Sequence, residues 1–153
     1  MSAVRPLKPA GGIAAVAVVP AGAAAVGSPE EIAAAAVAVP LVEGRSSYDE
    51  TVMSDNGIIR VEHRLTIAVP PDYAHEFFGE DIMRQWASAG TAAVVVTEAG
   101  ERLVVGWSER FGSEQPLRLA GIGASTGTTP HETPAVVLTF RSVDTAPATR
   151  IQN

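Results

Sequence analysis

The chain lacks cysteine altogether, and charged and aromatic residues are sparse, at 18% and 5% of its 153 residues. Without cysteine it can form neither a disulfide framework nor a thiolate site for zinc or an iron–sulfur cluster. So low a charge content, on a chain that is 46% hydrophobic, indicates that a partner covers part of the apolar surface. The length is typical of one domain with a single hydrophobic core.

An excess of basic residues is missing as well. The chain has 11 lysines and arginines against 17 acidic residues, so its formal net charge is −6. Proteins that bind nucleic acid need a basic surface that displaces phosphate counterions. We therefore expect no specific nucleic-acid binding.

Long apolar runs are also absent. No segment approaches the ~20 consecutive apolar residues of a membrane-spanning helix, which predicts no membrane contact. The run Ile13–Val19 does follow Arg5 and Lys8 and precede small residues, as the core of a signal peptide would. Pro20 and the alternation of alanine with valine favour a strand instead. A signal peptide over residues 13–26 remains the alternative.

Residues 1–46 are expected to form an extended N-terminal arm that carries the short strand at 13–19. Ser28-Pro29 followed by two glutamates is typical of a helix start, with a cap, a proline in the first turn and acids near the helix dipole. The alanine-rich run Ile32–Val39 fits either a helix that Pro40 ends or a strand, because its branched residues permit both.

The strongest strand signal begins after Asn56-Gly57, a pair that readily adopts positive φ in a tight turn. From Ile59 to Val69 apolar residues alternate strictly with polar or charged ones, among them Arg60 and Arg64. Such alternation predicts an antiparallel strand with one buried face and one face turned to water or a partner. A second strand is expected before the turn, at 48–53.

One helix is predicted over residues 71–88. Its apolar residues recur at helical spacing and include Trp86, which we expect to fill the core. Gly79 can kink this helix or divide it in two, and Gly90 ends it.

The rest of the chain is expected to be strands. Gly100 suits the turn of a hairpin, and two more strands follow, separated by a polar loop. The order of elements predicts a mainly β (α+β) fold, an antiparallel β-sandwich or barrel with one packed helix. The core domain is placed at 47–143 and a C-terminal tail at 144–153. The predicted ranges are 92–97 and 102–107 for the hairpin, 117–125 and 135–143 for the strands, and 126–133 for the loop.

Three motifs resemble catalytic signatures, and each lacks the context that its chemistry needs. Asp144-Thr145-Ala146 resembles the aspartic-protease loop, but too few residues follow it to support paired carboxylates. Gly106-Trp107-Ser108 begins like a nucleophile elbow without the second glycine or the following helix. The glycine-rich run 121–127 leads to a strand, whereas phosphate-binding loops lead to a helix N-terminus.

The three histidines are also too far apart in sequence to suggest a local metal site, since none are two or four residues apart. The sequence therefore predicts no catalytic residue, no cofactor and no metal. An enzyme whose site residues are dispersed along the chain is the remaining catalytic hypothesis.

Several motifs bear a resemblance to a known group of proteins. They are Leu103-Val-Val-Gly106-Trp-Ser, Gln115-Pro-Leu-Arg-Leu119, Ser125-Thr-Gly127 and the long run from Pro134 to Ala148, with an opening Arg5-Pro6-x-x-Pro9. The chain resembles small tail-associated structural proteins encoded by phages and prophages of gut Bacteroidetes. The resemblance spans most of the chain, and its motifs are structural.

The resemblance implies a tail-tube-like fold whose copies assemble into rings or tubes. It implies other phage tail or connector proteins as partners, a lumen through which DNA passes, and a place in the virion tail after assembly in the host cytoplasm. It brings no catalytic residues. A closed ring would use heterologous interfaces, and ordered arms on so small a domain need a neighbour to lie on.

The candidate assembly contacts lie in the arms, on the polar face of the long strand and in the polar loop. The alternative of a different class is a secreted or surface β-sandwich that binds a ligand through residues 126–133. The candidate contacts are Arg5, Ile13, Arg60, Arg64, Thr128, His131, Asp144 and Pro147.

Overall fold

The computed structural model describes residues 12–19, 29–42, 45–77, 79–88, 90–106, 116–125, 134–144 and 149–151. These residues form nine strands and three short helices. In chain order the elements are β1 Ile13–Val18, α1 Pro29–Ala35, β2 Val37–Val39, β3 Ser47–Asp55, β4 Ile58–Val69, α2 Pro71–Phe77, α3 Glu80–Ser88, β5 Ala93–Thr97, β6 Arg102–Val105, β7 Arg118–Ser125, β8 Ala135–Asp144 and β9 Thr149–Ile151.

The strands form two antiparallel sheets. One has five strands in the order β2-β1-β5-β6-β9, and the other has four in the order β3-β4-β8-β7. Their apolar faces enclose a common core, so the predicted mainly β sandwich is confirmed. The predicted alternative of a barrel is not formed, since the described strands divide into separate sheets joined by one isolated bridge between Thr91 and Leu117.

The main core draws on both sheets and on α2 and α3. Trp86 of α3 is 3% exposed and meets the ring of Phe140 edge-on, with 5.6 Å between ring centroids. Leu65 of β4 and Val16 of β1 belong to the same cluster. The expectation that Trp86 fills the core is therefore confirmed. Because β1 supplies core residues, the segment predicted as an N-terminal arm is partly built into the sandwich.

A second, smaller core lies on the other face of the five-stranded sheet. There Ile32 of α1 packs against Val94 and Val104. β5 is thus covered on both faces, by the main core and by α1, which explains why it is a continuous valine run rather than an alternating one. The open choice for 32–39 is also resolved, because α1 ends at Ala35 and β2 follows at Val37.

The predicted helix over 71–88 is two helices. Gly79 separates α2 from α3, and Glu80 and Asp81 then open α3 near the positive end of its dipole. The predicted turn at Asn56-Gly57 is confirmed, with φ of 51° and 82°. The strands predicted at 48–53 and 59–69 are both slightly longer than expected, since β3 spans Ser47–Asp55 and β4 spans Ile58–Val69.

The C-terminal tail differs most from expectation. The sequence predicts that residues 144–153 extend as an arm onto other copies, yet Thr149–Ile151 pair with β6 of their own chain. Asp144, placed in the tail by the sequence, is the last residue of β8 and pairs with Val61. The edge of β6 offers unsatisfied backbone groups, and the tail is close enough to satisfy them.

Candidate functional site

The four-stranded sheet ends in two open edges, and these are the candidate functional site. No described strand pairs with the outer side of β3 or of β7. β3 has nine residues and β7 has eight. Since each neighbouring pair in the order β3-β4-β8-β7 is antiparallel, β3 and β7 run in opposite directions. Long open edges of this kind are ready to pair with another chain.

Charged side chains form a row across the outer face of this sheet. The pairing registers place Asp49, Arg64, Arg141 and Arg118 opposite one another on successive strands. Three like charges in a row destabilise a sheet unless an acid lies among them. Glu62 supplies it: its carboxylate accepts from Arg141 at 2.8 Å and from Arg64 at 3.5 Å.

β7 is lined with small residues and offers little side chain to a neighbour. A Cβ added at Gly121 or Gly123 would meet nothing within 4 Å, so packing within the chain does not require glycine there. Ile122 between them is 45% exposed. Glycine in a strand interior often marks the close approach of another backbone.

The hairpin formed by β3 and β4 projects beyond the rest of its sheet. Among the described residues β8 accompanies β4 only from Val61 onward, so Ile58 and Ile59 lie in a ribbon where this sheet has two described strands. The apolar side chains of this ribbon and of Val52 at its base are 38–58% exposed. Ile59, predicted to face the core, is instead 48% exposed. The exposed residues are Val52, Met53, Ile58 and Ile59.

A buried polar cluster lies inside the sandwich near the base of this hairpin. His63 is 4% exposed, and its Nδ1 lies 2.6 Å from the hydroxyl oxygen of Tyr48. The Tyr48 hydroxyl donates to Oε1 of Glu50 at 2.9 Å, so His63 Nδ1–H is the donor in the other contact. Ser142, also buried, lies opposite His63 on β8. The cluster satisfies buried polar groups at the end of the core.

An open hollow of about 170 Å³ lies on the face of the five-stranded sheet that carries α1. Its lining is apolar apart from Arg102. Small side chains, among them Ala15, Ala17 and Ala38, leave this space.

The structure positions half of the sequence-predicted contacts. Arg60 and Arg64 lie exposed on the outer face of the four-stranded sheet, as the alternation predicts. Ile13 is half-buried and packs against the main core of its own chain. Asp144 ends β8. The other candidates, Arg5, Thr128, His131 and Pro147, lie outside the described residues.

Sequence reasoning missed Arg118 and Arg141 as parts of the charged row, and Val52 and Ile122 as exposed edge residues. Each falls within a predicted strand, but its cross-strand neighbours depend on pairing register, and no local signal specifies the register between distant strands. In sequence, Val52 and Ile122 cannot be told apart from core residues. Whether such an apolar side chain is buried depends on which strand lies beside it, and that is set by the pairing of distant strands.

Burial raises the pKa of the Tyr73 hydroxyl above its usual value. In the described ranges no three His, Asp or Glu side chains come together in a group that could hold a metal ion. None of the described helices has the length and apolarity to cross a membrane.

Comparison of the chain with models of protein families, with curated proteins and with solved structures finds no match. The fold and the two open edges are thus the basis for inferring what the protein does.

Proposed function

We propose that the protein is a non-enzymatic structural subunit of a phage or phage-like tail, of the tail-tube or tail-completion type, that self-assembles into rings or tubes. The observation that carries the proposal is the pair of open edges on one four-stranded sheet, which run in opposite directions. β3 of one copy can therefore pair with β7 of another copy in the antiparallel sense, which continues the sheet from one copy to the next.

Pairing of β7 with β3 of a second copy would be heterologous, because two different surfaces meet. Repetition of such a contact closes into a ring or continues as a filament. The same contact would cover both edges of the four-stranded sheet in every copy and remove the aggregation hazard of those two edges. Charge agrees with the pairing, because the charged residues of β3 are all acidic (Asp49, Glu50 and Asp55), whereas the only charged residue of β7 is Arg118.

The exposed apolar ribbon supports the proposal independently. An isolated hairpin of two strands is marginally stable in water, and this one exposes apolar side chains near its tip. A neighbouring subunit that packs on the ribbon would bury them. The sparse charge of the whole chain agrees with extensive covered surface.

In such an assembly the partners are further copies and other tail or connector proteins. The net charge of −6 suits a lumen through which DNA slides without adhering. Assembly would take place in the host cytoplasm and end in the virion tail.

Sedimentation velocity of the full-length chain over a range of concentrations tests the proposal, with negative-stain electron micrographs of the same samples. We expect mass-action growth from monomer to a closed or stacked species, visible as rings or tubes. A chain that stays monomeric up to high micromolar concentration, with no rings or tubes on the grid, overturns the proposal.

A second candidate function, a β-sandwich that binds a small ligand, is favoured by the hollow beside α1. Its apolar lining and Arg102 suit a short-chain carboxylate, with the alkyl part on the alanines and the carboxylate at the guanidinium. Titration of butyrate into the labelled protein should then shift the backbone amide resonances of Ala15, Ala17 and Ala38. Unchanged resonances at millimolar butyrate count against this candidate.

A further inference from the structure

We infer that adjoining copies pair β7 with β3 in one particular register, in which Ile122 of one copy lies directly opposite Val52 of the next. The inference rests on the proposed self-assembly and specifies its interface. It is carried by four features of the two edges: the backbone groups that are directed outward, the position where β7 is blocked, the exposed apolar residues and the glycines.

The turn after β3 determines which of its backbone N–H and carbonyl groups are directed toward the open edge. The two-residue turn at Asn56-Gly57 makes Asp55 and Ile58 a bonded pair, so the backbone groups of every second residue from Asp55 are directed toward β4. Those of Val52 and Glu50 are directed away from β4. They are the groups that a new strand would bond.

For β7, the hydrogen bonds of Leu117, immediately before the strand, determine which backbone groups are directed outward. Leu117 uses both its N–H and its carbonyl on Thr91, at 2.9 and 2.7 Å, so those of Arg118 turn toward β8 and those of Leu119 outward. The bulge between Leu119 and Gly121 shifts the alternation by one residue. Beyond it, the groups of Ile122 and Ala124 are directed outward.

The bridge to Thr91 also limits how far an added strand can run. It occupies the edge of the sheet at Leu117, immediately before β7 begins. A neighbouring β3 must therefore end at about Arg118, and only a tight turn can follow it there. β3 ends at Asp55 and is followed by such a turn, so its last residue falls opposite Arg118.

With Asp55 at that position, the register of the remaining pairs is set. The bulge brings Met53 opposite Gly121, and Val52 then meets Ile122. Val52 is 58% exposed and Ile122 is 45% exposed in the single chain, and each would cover the other. Met53 would lie over a glycine with open space above it, and Thr51 over Gly123.

Other registers lose these matches. A shift of one residue would exchange the two faces of the added strand. A shift of two residues in one direction drives the hairpin turn into Thr91, and in the other it places Val52 opposite Ala124 and leaves Arg118 opposite no acid of β3. The register with Val52 opposite Ile122 uses the full available edge.

Engineered disulfides test the register directly, because the chain has no native cysteine. The variant Thr51→Cys/Gly123→Cys places two thiols opposite each other between copies, at a Cα separation of ~4.5–5.5 Å that a disulfide can span. Within one chain these residues lie on opposite edges of the sheet, ~14 Å apart across three strand spacings alone, so no internal bond can form.

We expect the oxidised variant to give a ladder of covalent oligomers on a non-reducing gel. The matched control is Ser47→Cys/Gly121→Cys, which tests the register in which the charged rows of two copies are continuous, and it should stay monomeric on the gel. An assembling chain that is cross-linked by the control pair, or by neither pair, overturns the register. A chain that fails to assemble at all overturns the proposed function instead.

Loss of the apolar contact gives a second readout. Val52→Ser and Ile122→Ser should each weaken association about tenfold, because each removes apolar surface buried only between copies. Val37→Ser, at a valine 54% exposed on the other sheet, is the control and should leave association unchanged. All three variants should keep the melting temperature of the monomer, and equal association of all three would contradict the inference.

Discussion

Trp86 shows how one residue joins a helix to the sandwich. Its side chain is almost fully buried, and its edge contact with Phe140 fixes α3 against β8. Helical periodicity was sufficient to predict this burial, since an apolar stripe on a short helix must face the sheet.

We predict that Trp86→Ala lowers the free energy of unfolding by ~3–5 kcal/mol, because it removes a large apolar side chain and leaves a cavity. Urea denaturation followed by circular dichroism measures it. Trp86→Phe is the control and should cost clearly less, since it keeps an aromatic ring against Phe140. Equal stability of the alanine variant and the native chain would place α3 outside the core.

Tyr73 gives a prediction about pH. Burial raises the pKa of its hydroxyl, so the folded chain holds the neutral form more strongly than the unfolded chain does. The stabilisation is therefore complete below the unfolded pKa near 10 and is lost as the pH rises through and above that value.

The measurement is the urea midpoint at pH 9 and pH 11 for the native chain and for Tyr73→Phe. We expect the native chain to lose more stability between the two pH values than the variant does. The difference between the two chains isolates Tyr73 from other groups that titrate at high pH. A loss of equal size in both would show that Tyr73 ionises alike in the folded and unfolded states.

At the scale of elements, the turns and strands with strong local signals were predictable, and their pairing was not. The alternation in β4 and the Asn56-Gly57 turn each predict their element from a few adjacent residues. The start of β4 was less predictable, because Ile59 continues the alternation of apolar residues yet is 48% exposed. The packing of α1 on β5 was not predictable from the valine run of β5. A strand buried on both faces is apolar throughout, and its sequence does not indicate which element covers each face.

The corner where the two sheets meet depends on a glycine. Gly106 has φ of 91°, and a Cβ there would lie 2.7 Å from the carbonyl oxygen of Thr91, whose backbone bonds Leu117. Both the backbone conformation and the close approach disfavour any side chain.

We predict that Gly106→Ala destabilises the fold by at least ~1–3 kcal/mol, measured as a fall in the urea midpoint. Gly100→Ala is the matched control: its φ is also positive, at 89°, but a Cβ there meets nothing within 4 Å. The control should pay only the conformational cost. Equal losses in the two variants would mean that the contact with Thr91 contributes nothing.

At the scale of the whole molecule, the C-terminal strand β9 belongs to the fold of the single subunit. The sequence predicts a tail that lies on other copies, because a short polar segment after the last strong strand carries no signal for pairing. β9 instead covers the edge of β6, which completes the five-stranded sheet within one chain. In the described part of the chain the outer sides of β3 and β7 also remain unpaired, and these are the edges that the proposed assembly uses.

Deletion of residues 149–153 separates these two roles of the tail. If β9 stabilises its own sheet, the deletion should lower the melting temperature of the monomer by several degrees, because it removes backbone bonds from β6 and exposes a new edge. Differential scanning calorimetry at a concentration that keeps the chain monomeric measures it, with deletion of residues 152–153 as the control. A tail that acts only on a neighbour would leave the monomer melting point unchanged and weaken association alone. β9 covers an edge of the five-stranded sheet, whereas the proposed contact uses the four-stranded sheet. We therefore expect chains that remain folded after the deletion to keep the β7–β3 register. The Thr51→Cys/Gly123→Cys cross-link, introduced into the deletion variant, measures this.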